Sequence, residues 1–247
     1  MQSIISIRFY AGLNFFVPKK LKQKTFQYPV KGQPSVKDLI ESLSVPHTEI
    51  DLILVNSHSV DFSYKVKSLD QISVYPFFYK HELRPDDSIK RIAFPEKMFI
   101  ADAHLGKLAA LLRMFGFDTV YRNDIDDDEI IERGVAEKRI ILTRDLGILK
   151  HAIVEWGYFP RSQDSKIQLK EVIDRFDLKK HFKPFSLCIK CNGKLRAVEK
   201  GEIIDKLEDN TKSFYKDFYR CKNCDKVYWQ GSHYHKMIKF VEEYKFQ

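Results

Sequence analysis

Two Cys-x-x-Cys pairs near the carboxyl end place the strongest constraint on how this chain folds. Cys188 pairs with Cys191 and Cys221 with Cys224, and 29 residues separate the two pairs. Each pair predicts a tight turn that presents two thiolates, and four thiolates satisfy a tetrahedral zinc ion. Such a site keeps no open coordination position. The spacing therefore predicts one structural, non-catalytic zinc that stabilises a segment with little core of its own.

Length and charge narrow the class of protein. The 247 residues predict two domains and a small third one. No apolar run is long enough to cross a membrane, and the amino terminus lacks the features of a signal peptide. We therefore expect a cytoplasmic protein without a membrane partner, in which four cysteines favour metal binding over disulfides.

The charge is distributed unevenly along the chain. The net charge of +8 comes largely from residues 181–247, which carry +5, whereas residues 91–180 are neutral and contain an acidic cluster at positions 124–129. An acidic site between basic flanks is typical of a metal-dependent enzyme that acts on a polyanion. A merely lysine-rich composition accounts for the overall charge equally well.

The pattern of apolar residues predicts four segments. Residues 1–80 read as an α+β unit with strands, one helix capped by Ser35, and further strands. The charged residues 81–96, with two prolines, read as a linker. Residues 97–183 alternate strands and helices, which predicts an α/β domain with a parallel sheet. Residues 184–247 form the predicted zinc ribbon and carboxyl-terminal tail, called the ribbon below.

Three aspartates are the candidate catalytic residues. Asp102 and Asp145 each end a predicted strand of the α/β segment, and Asp127 lies in the first turn of a predicted helix. The carboxyl ends of parallel strands meet at one edge of a sheet, where active sites form. Three carboxylates there need cations between them, and hard oxygen ligands favour Mg²⁺ or Mn²⁺. Helix capping by Asp102 and a turn role for Asp145 are the structural alternatives.

The stretches FIADAHLGKLAALLRMFGFDTV, NDIDDDEII and RIILTRD, with the later YWQGSHY, carry a family resemblance. From residue 97 to about 235 the chain resembles the Mut-seven C-terminal RNase domain family, which belongs to the PIN-like nucleases. The resemblance implies a PIN-like fold, ribonuclease activity and a catalytic role for Asp102, Asp127 and Asp145. A further acid that is typical of PIN nucleases is missing, and only Asp118 is available, so one metal ion is expected to be held firmly rather than two.

Basic residues near these acids are candidates for catalysis, in the case of Arg144, and for contacts to RNA. Arg144 precedes Asp145 and could neutralise charge on a scissile phosphate. Lys107 and Arg113 follow Asp102 on a predicted helix and are expected to contact RNA. A purely structural pairing with an acid of the 124–129 cluster is the alternative for Arg144. His104 is either a ligand or base, or simply a surface group.

The ribbon combines cations with aromatic rings, a mixture that suits phosphate contacts and base stacking. Packing of Trp229 against the nuclease domain is the alternative for that residue. The predicted RNA contacts in this segment are Arg220, Lys222, Lys226, Trp229 and His233.

Residues 3–80 resemble the ubiquitin-like β-grasp domain that precedes this RNase in prokaryotic proteins. Sulfur-carrier relatives end in Gly-Gly, whereas here the chain continues through Phe77 and Lys80. Carrier chemistry is thus excluded, and the domain is expected to bind a protein partner or to position RNA. A passive folding partner is the alternative.

Two functions of different classes remain. One is a Mg²⁺- or Mn²⁺-dependent ribonuclease in which the β-grasp domain and the ribbon help to hold RNA or a partner. The other is a non-catalytic RNA- or ribonucleoprotein-binding adaptor on a degenerate PIN scaffold. The presence of the three aspartates favours the nuclease function, whereas the missing fourth acid is consistent with the adaptor function.

Overall fold

The computed structural model describes residues 2–77 and 96–246. The predicted linker, residues 81–96, lies outside the described residues except for Glu96. The end of the last predicted β-grasp strand, residues 78–80, lies outside them as well. All other predicted elements fall within the described part of the chain.

The amino-terminal domain is a mixed five-stranded sheet with one helix. Its strands are β1 (Gln2–Phe9), β2 (Phe26–Lys31), β3 (Ile50–Val55), β4 (His58–Ser59) and β5 (Gln71–Pro76), and α1 (Val36–Ser42) lies between β2 and β3. The strand order is β2-β1-β5-β3-β4, with β1 and β5 parallel and the other pairs antiparallel.

Local sequence explains this domain. Ile5, Ile7 and Phe9 alternate along β1 and are buried, so one face of the sheet forms the core. The Ser35 side chain accepts a hydrogen bond from the Asp38 amide at 3.1 Å and thereby caps α1. The predicted α+β β-grasp architecture is confirmed.

Parallel strands then alternate with helices. After β6 (Phe99–Ala101) come α2 (Gly106–Met114) and β7 (Thr119–Val120), and β6 and β7 pair in parallel. Gly116, with φ of +91°, ends α2, and a side chain there would collide with the Lys183 carbonyl.

A second strand–helix alternation follows along the chain. Its elements are α3 (Asp127–Ala136), β8 (Ile140–Leu142), α4 (Leu146–Lys150) and β9 (Gly157–Tyr158), and β8 and β9 also pair in parallel. The strands are short and fully buried, as strands covered on both faces are. The predicted α/β class with parallel strands is confirmed.

The carboxyl-terminal part begins with α5 (Ser165–Phe176) and continues into the ribbon. There β10 (Leu195–Val198), α6 (Asp209–Phe214), β11 (Phe218–Cys221) and β12 (Val227–Trp229) precede the long helix α7 (Ser232–Phe246). The three strands form an antiparallel sheet in the order β10-β11-β12. Helix α7 packs through Tyr244, whose hydroxyl donates to the Lys166 carbonyl at 3.0 Å.

The chain divides into two compact units. Unit 1 comprises residues 1–96 and 126–161, and unit 2 comprises residues 97–125 and 162–247. The predicted nuclease segment, residues 97–183, therefore contributes to both units. Unit 1 joins the β-grasp sheet to the elements from α3 to β9, whereas unit 2 joins α2 and α5 to the ribbon.

Within unit 1, buried polar contacts connect the β-grasp domain with the segment 126–161. The Glu49 side chain is 2% exposed; it forms an ion pair of 2.8 Å with Arg161 and accepts from the Phe159 amide at 2.9 Å. The His47 ring lies 2.7 Å from the Val154 carbonyl oxygen. These contacts make the β-grasp domain an integral part of its compact unit.

Candidate metal centre and acidic site

The four cysteines converge on one point. The Sγ atoms of Cys188 and Cys224 are 3.6 Å apart, those of Cys191 and Cys221 are 3.4 Å apart, and all four lie within 4.8 Å of one another. Tetrahedral Zn–S bonds of about 2.3 Å place sulfur atoms about 3.8 Å apart. All four thiols are free of disulfides. The cluster therefore fits a metal ion such as zinc.

Backbone geometry aims the thiolates inward. The Cys188 amide donates to the Gly193 carbonyl at 2.7 Å, and the Cys221 amide donates to the Lys226 carbonyl at 2.9 Å. Each bond closes a tight turn over one pair. A Cβ on Gly193 would lie 2.7 Å from the Cys221 sulfur, so only glycine fits at this position.

The electrostatics of the cluster call for a cation. Burial raises the pKa of the Cys191 thiol to about 12. Burial also opposes ionisation of Cys188, yet a hydrogen bond of 3.1 Å from the Tyr228 hydroxyl and contacts with neighbouring thiols lower its pKa to about 7. Four thiols this close cannot all ionise without a compensating positive charge, and a bound metal ion supplies that charge.

Unit 2 holds the first cysteine turn through a buried arginine. The side chain of Arg113, on α2, donates to the carbonyls of Ile189 and Lys190 at 3.2 and 2.9 Å, and to that of Thr119 at 2.9 Å. Burial lowers the pKa of Arg113, although nearby Cys191 raises it. The turn is thereby fixed to the nuclease elements.

Asn192 adds a second attachment beside this arginine. It accepts from the Thr119 amide at 3.0 Å and donates to the Asp118 carboxylate at 2.7 Å. Asp118, the one acid available for the missing fourth position, is therefore bonded to the cysteine turn.

Each candidate catalytic aspartate lies at the end or beginning of an element. Asp102 directly follows β6, is 8% exposed and accepts from the His104 amide at 3.4 Å. Asp145 lies three residues beyond β8, is exposed and caps α4 through the Gly147 amide at 2.5 Å. Asp127 is the exposed first residue of α3, which Asp126 caps. The helix-capping alternative for Asp102 is thus realised, and Asp145, for which a turn role was the alternative, caps α4.

Comparison with known families decides the relationship. Residues 97–241 match the model described as the Mut7-C RNAse domain, and residues 2–82 match the model described as Mut7-C ubiquitin. The chain belongs to the Mut7-C RNAse domain family. No curated protein and no solved structure matches the chain. The recognition of the nuclease family and of its ubiquitin-like neighbour from the sequence is confirmed.

The Mut7-C candidate aspartates are distributed over both compact units. Asp102 belongs to unit 2, and Asp127 and Asp145 belong to unit 1. Among the described residues, the tight group of three or more potential ligand side chains consists of the four cysteines alone. Convergence of the three aspartates on a catalytic metal therefore stays a prediction.

The basic residues predicted to contact RNA have different surroundings. Arg113 is 3% exposed with its guanidinium bonded to backbone carbonyls, so the predicted RNA contact is replaced by a structural role. Arg144 is half-buried, 5.6 Å from the Phe159 ring. Lys107 is exposed on α2. The burial of Arg113 has no local sequence signal, because two of its partners lie 76 and 77 residues further along.

The predicted contacts in the ribbon are largely accessible. Lys222, Lys226 and His233 are exposed, and Trp229 is 38% exposed with its ring 6.4 Å from Tyr215. Arg220 forms a bidentate pair with Asp225 at 3.0 and 2.6 Å. The Tyr228 hydroxyl contacts Cys188 of the cluster, a contact that joins residues 40 positions apart and therefore has no local sequence signal.

In the part of the chain that the structure describes, the helices lack the combination of length and hydrophobicity that a membrane span requires.

Proposed function

We propose that this protein is a metal-dependent ribonuclease that hydrolyses RNA phosphodiester bonds with Asp102, Asp127 and Asp145. The observation that carries the proposal is the match to the Mut7-C RNAse domain, combined with Asp102 and Asp145 following strands of parallel pairs. In parallel α/β folds, ligands bind outside the carboxyl ends of the strands.

The residues have distinct tasks in this proposal. The three carboxylates hold Mg²⁺ or Mn²⁺, which supplies an activated water and charge stabilisation when bound. Arg144, next to Asp145, balances negative charge on the scissile phosphate. Lys107, exposed on α2, contacts the RNA backbone.

The ribbon has a structural and a binding task. We assign a structural zinc ion to the four cysteines, because their sulfur separations suit tetrahedral coordination and four thiolates leave no coordination position open. The exposed cations and aromatic rings of the ribbon contact RNA outside the acidic site. The β-grasp domain, attached through Glu49 and Arg161 within unit 1, offers a surface for a protein partner.

Cleavage of single-stranded RNA by the full chain tests the catalytic proposal. Asp127→Asn is compared with Asp128→Asn, which removes the same charge from the next exposed residue of α3. We expect the first variant to lose cleavage in Mn²⁺ and the second to keep it. Asp145→Asn is a second test with little risk to the fold, since asparagine caps a helix as well as aspartate.

The alternative function has its own signature. A wild-type protein that binds RNA but leaves it intact in Mg²⁺ and in Mn²⁺ would be an adaptor rather than a nuclease. Equal cleavage by Asp127→Asn and Asp128→Asn would remove Asp127 from the proposed site and leave Asp102 and Asp145 to be tested in the same way.

A further inference from the structure

A pocket of about 300 Å³ lies in unit 2 within the ribbon. Its walls include five aromatic rings, from Phe185, Tyr219, Tyr228, Trp229 and Tyr234. The volume is at the lower limit of small-molecule sites, which span about 300–1,000 Å³. The pocket is therefore suited to a single flat group rather than to a helix or an extended chain.

The rings are available on a rigid frame. Tyr219 and Tyr228 are directly opposite each other on β11 and β12, and the Tyr228 hydroxyl is bonded to Cys188 of the metal centre. Phe185 and Tyr234 pack with ring centroids 4.8 Å apart. Tyr219 and Trp229 remain 37% and 38% exposed. Exposed rings that are grouped around one pocket, unlike single scattered ones, are typical of an interaction site.

Polar groups at the pocket favour a nucleobase. Gln230 lines the pocket with an amide that both donates and accepts, as the edge of a base requires. The Lys226 ammonium lies 5.4 Å from the centre of the Tyr228 ring, which places a cation beside the rings for a phosphate. The surrounding residues 181–247 carry a net charge of +5, complementary to a polyanion.

We propose that this pocket is a subsite for one unpaired base of single-stranded RNA, stacked on the rings of the ribbon. The inference rests on the proposed RNA substrate and specifies its class. A base inside a duplex is stacked between its neighbours and cannot enter. The pocket therefore selects single strands, while the cations around it hold the backbone.

Binding of the full, zinc-loaded chain to RNA without added Mg²⁺ or Mn²⁺ tests this subsite apart from cleavage. The probes are a fluorescently labelled single strand of ten nucleotides and a ribose-phosphate strand of equal length and charge that lacks bases. We expect wild type to prefer the strand with bases. Tyr219→Ala should lower affinity for that strand about 5- to 150-fold, the effect of removing one stacking ring, and Tyr219→Phe should retain it.

Phe214→Ala is the matched control, because Phe214 is a 78% exposed ring of the ribbon outside the pocket. It should bind both strands as wild type does. Equal affinity of wild type for the two strands, or equal losses in Tyr219→Ala and Phe214→Ala, would overturn the proposal. So would tighter binding of N-acetyltryptophanamide than of a nucleoside monophosphate, since it would assign the pocket to a peptide side chain. Absence of cleavage together with base-dependent binding would refute the nuclease and keep the subsite.

Discussion

Two arginines, buried Arg113 in unit 2 and half-buried Arg161 in unit 1, hold distant parts of the chain together in different ways. Arg161 of unit 1 neutralises Glu49, which lies 112 residues earlier, and its guanidinium lies 4.6 Å from the Tyr158 ring. Arg113 of unit 2 has carbonyl oxygens as hydrogen-bond partners, two of them in the first cysteine turn. Arg161 thus depends on an opposite charge, and Arg113 depends on the conformation of the first cysteine turn.

The two junctions should therefore respond differently to loss of a metal ion. The unit 1 junction adjoins the large apolar core of the β-grasp domain, so it does not need a metal. The ribbon has a small described cluster, made of Val198, Ile203, Leu207 and Phe218. The hydrogen bonds of Arg113 to Ile189 and Lys190 therefore persist only while the first cysteine turn keeps its conformation.

Removal of the metal should have the largest effect and should separate the two junctions. Structural zinc contributes about 10–16 kcal/mol in zinc-finger peptides, more than a small core can replace. The chain has two tryptophans, Trp156 in unit 1 and Trp229 in unit 2. In single-tryptophan proteins, chelation should change the fluorescence of Trp229 strongly and that of Trp156 little. A large change at Trp156 would show that unit 1 also depends on the metal.

Loss of the Arg161 charge should be the next largest effect. Arg161→Met leaves the carboxylate of Glu49 buried without a cation, which costs about 3–5 kcal/mol of unfolding free energy. Arg133→Met is the matched control, because Arg133 forms more exposed pairs on α3 with Glu129 and Glu137, worth about 0.2–0.5 kcal/mol each. Urea unfolding followed through Trp156 measures both. Similar losses in the two variants would mean that the Glu49 pair adds no more than a surface pair.

Loss of Arg113 should have a smaller effect on stability but a specific effect on the metal. Arg113→Met leaves carbonyls near the first cysteine turn unpaired, at a cost of about 1–3 kcal/mol. An outer-shell contact of this kind changes metal affinity about 10- to 100-fold. Zinc competition with a chelator measures the change, and Arg122→Met, which breaks an exposed pair with Asp124, is the control. Unchanged zinc affinity in Arg113→Met would show that the hydrogen bonds of Arg113 to the cysteine turn do not contribute to metal binding.

Features set by nearby residues could be predicted from the sequence. The Ser35 cap, the end of α2 at Gly116 and the two cysteine turns all depend on residues a few positions apart, and the structure has each of them. The roles of Arg113 and Asp118 could not be predicted, since both depend on the turn between Cys188 and Asn192, more than 70 residues later. Helix α7 has only a weak sequence signal, because its apolar positions are interleaved with charged and aromatic residues.

The candidate acidic site depends partly on nearby residues, which the sequence pattern predicts, and partly on distant ones, which it does not. Asp102 directly follows β6 and Asp127 begins α3, positions that local patterns predict, whereas Asp145 lies three residues beyond β8 as the cap of α4. Whether their carboxylates share a metal depends on how separate segments meet, which periodicity does not encode.

The smallest expected effect concerns the salt dependence of RNA binding, which should depend on exposed lysines and not on buried Arg113. Lys222 and Lys226 are exposed on the ribbon, whereas the guanidinium of Arg113 is bonded to carbonyls. Each phosphate contact on a single strand contributes about −0.7 to the slope of log affinity against log salt concentration. Lys222→Gln with Lys226→Gln should therefore reduce the slope by about 1.4 if both contact phosphate.

The slope distinguishes a contact to RNA from a role in folding. Arg113→Met should keep the wild-type slope as long as the metal stays bound, even though the protein is less stable. The measurement is RNA affinity across a salt series without added Mg²⁺ or Mn²⁺, with the double lysine variant and the arginine variant compared at saturating zinc. An equal reduction of the slope in Arg113→Met would show that Arg113 contacts RNA. An unchanged slope in the lysine variant would show that Lys222 and Lys226, between β11 and β12, do not contact phosphate.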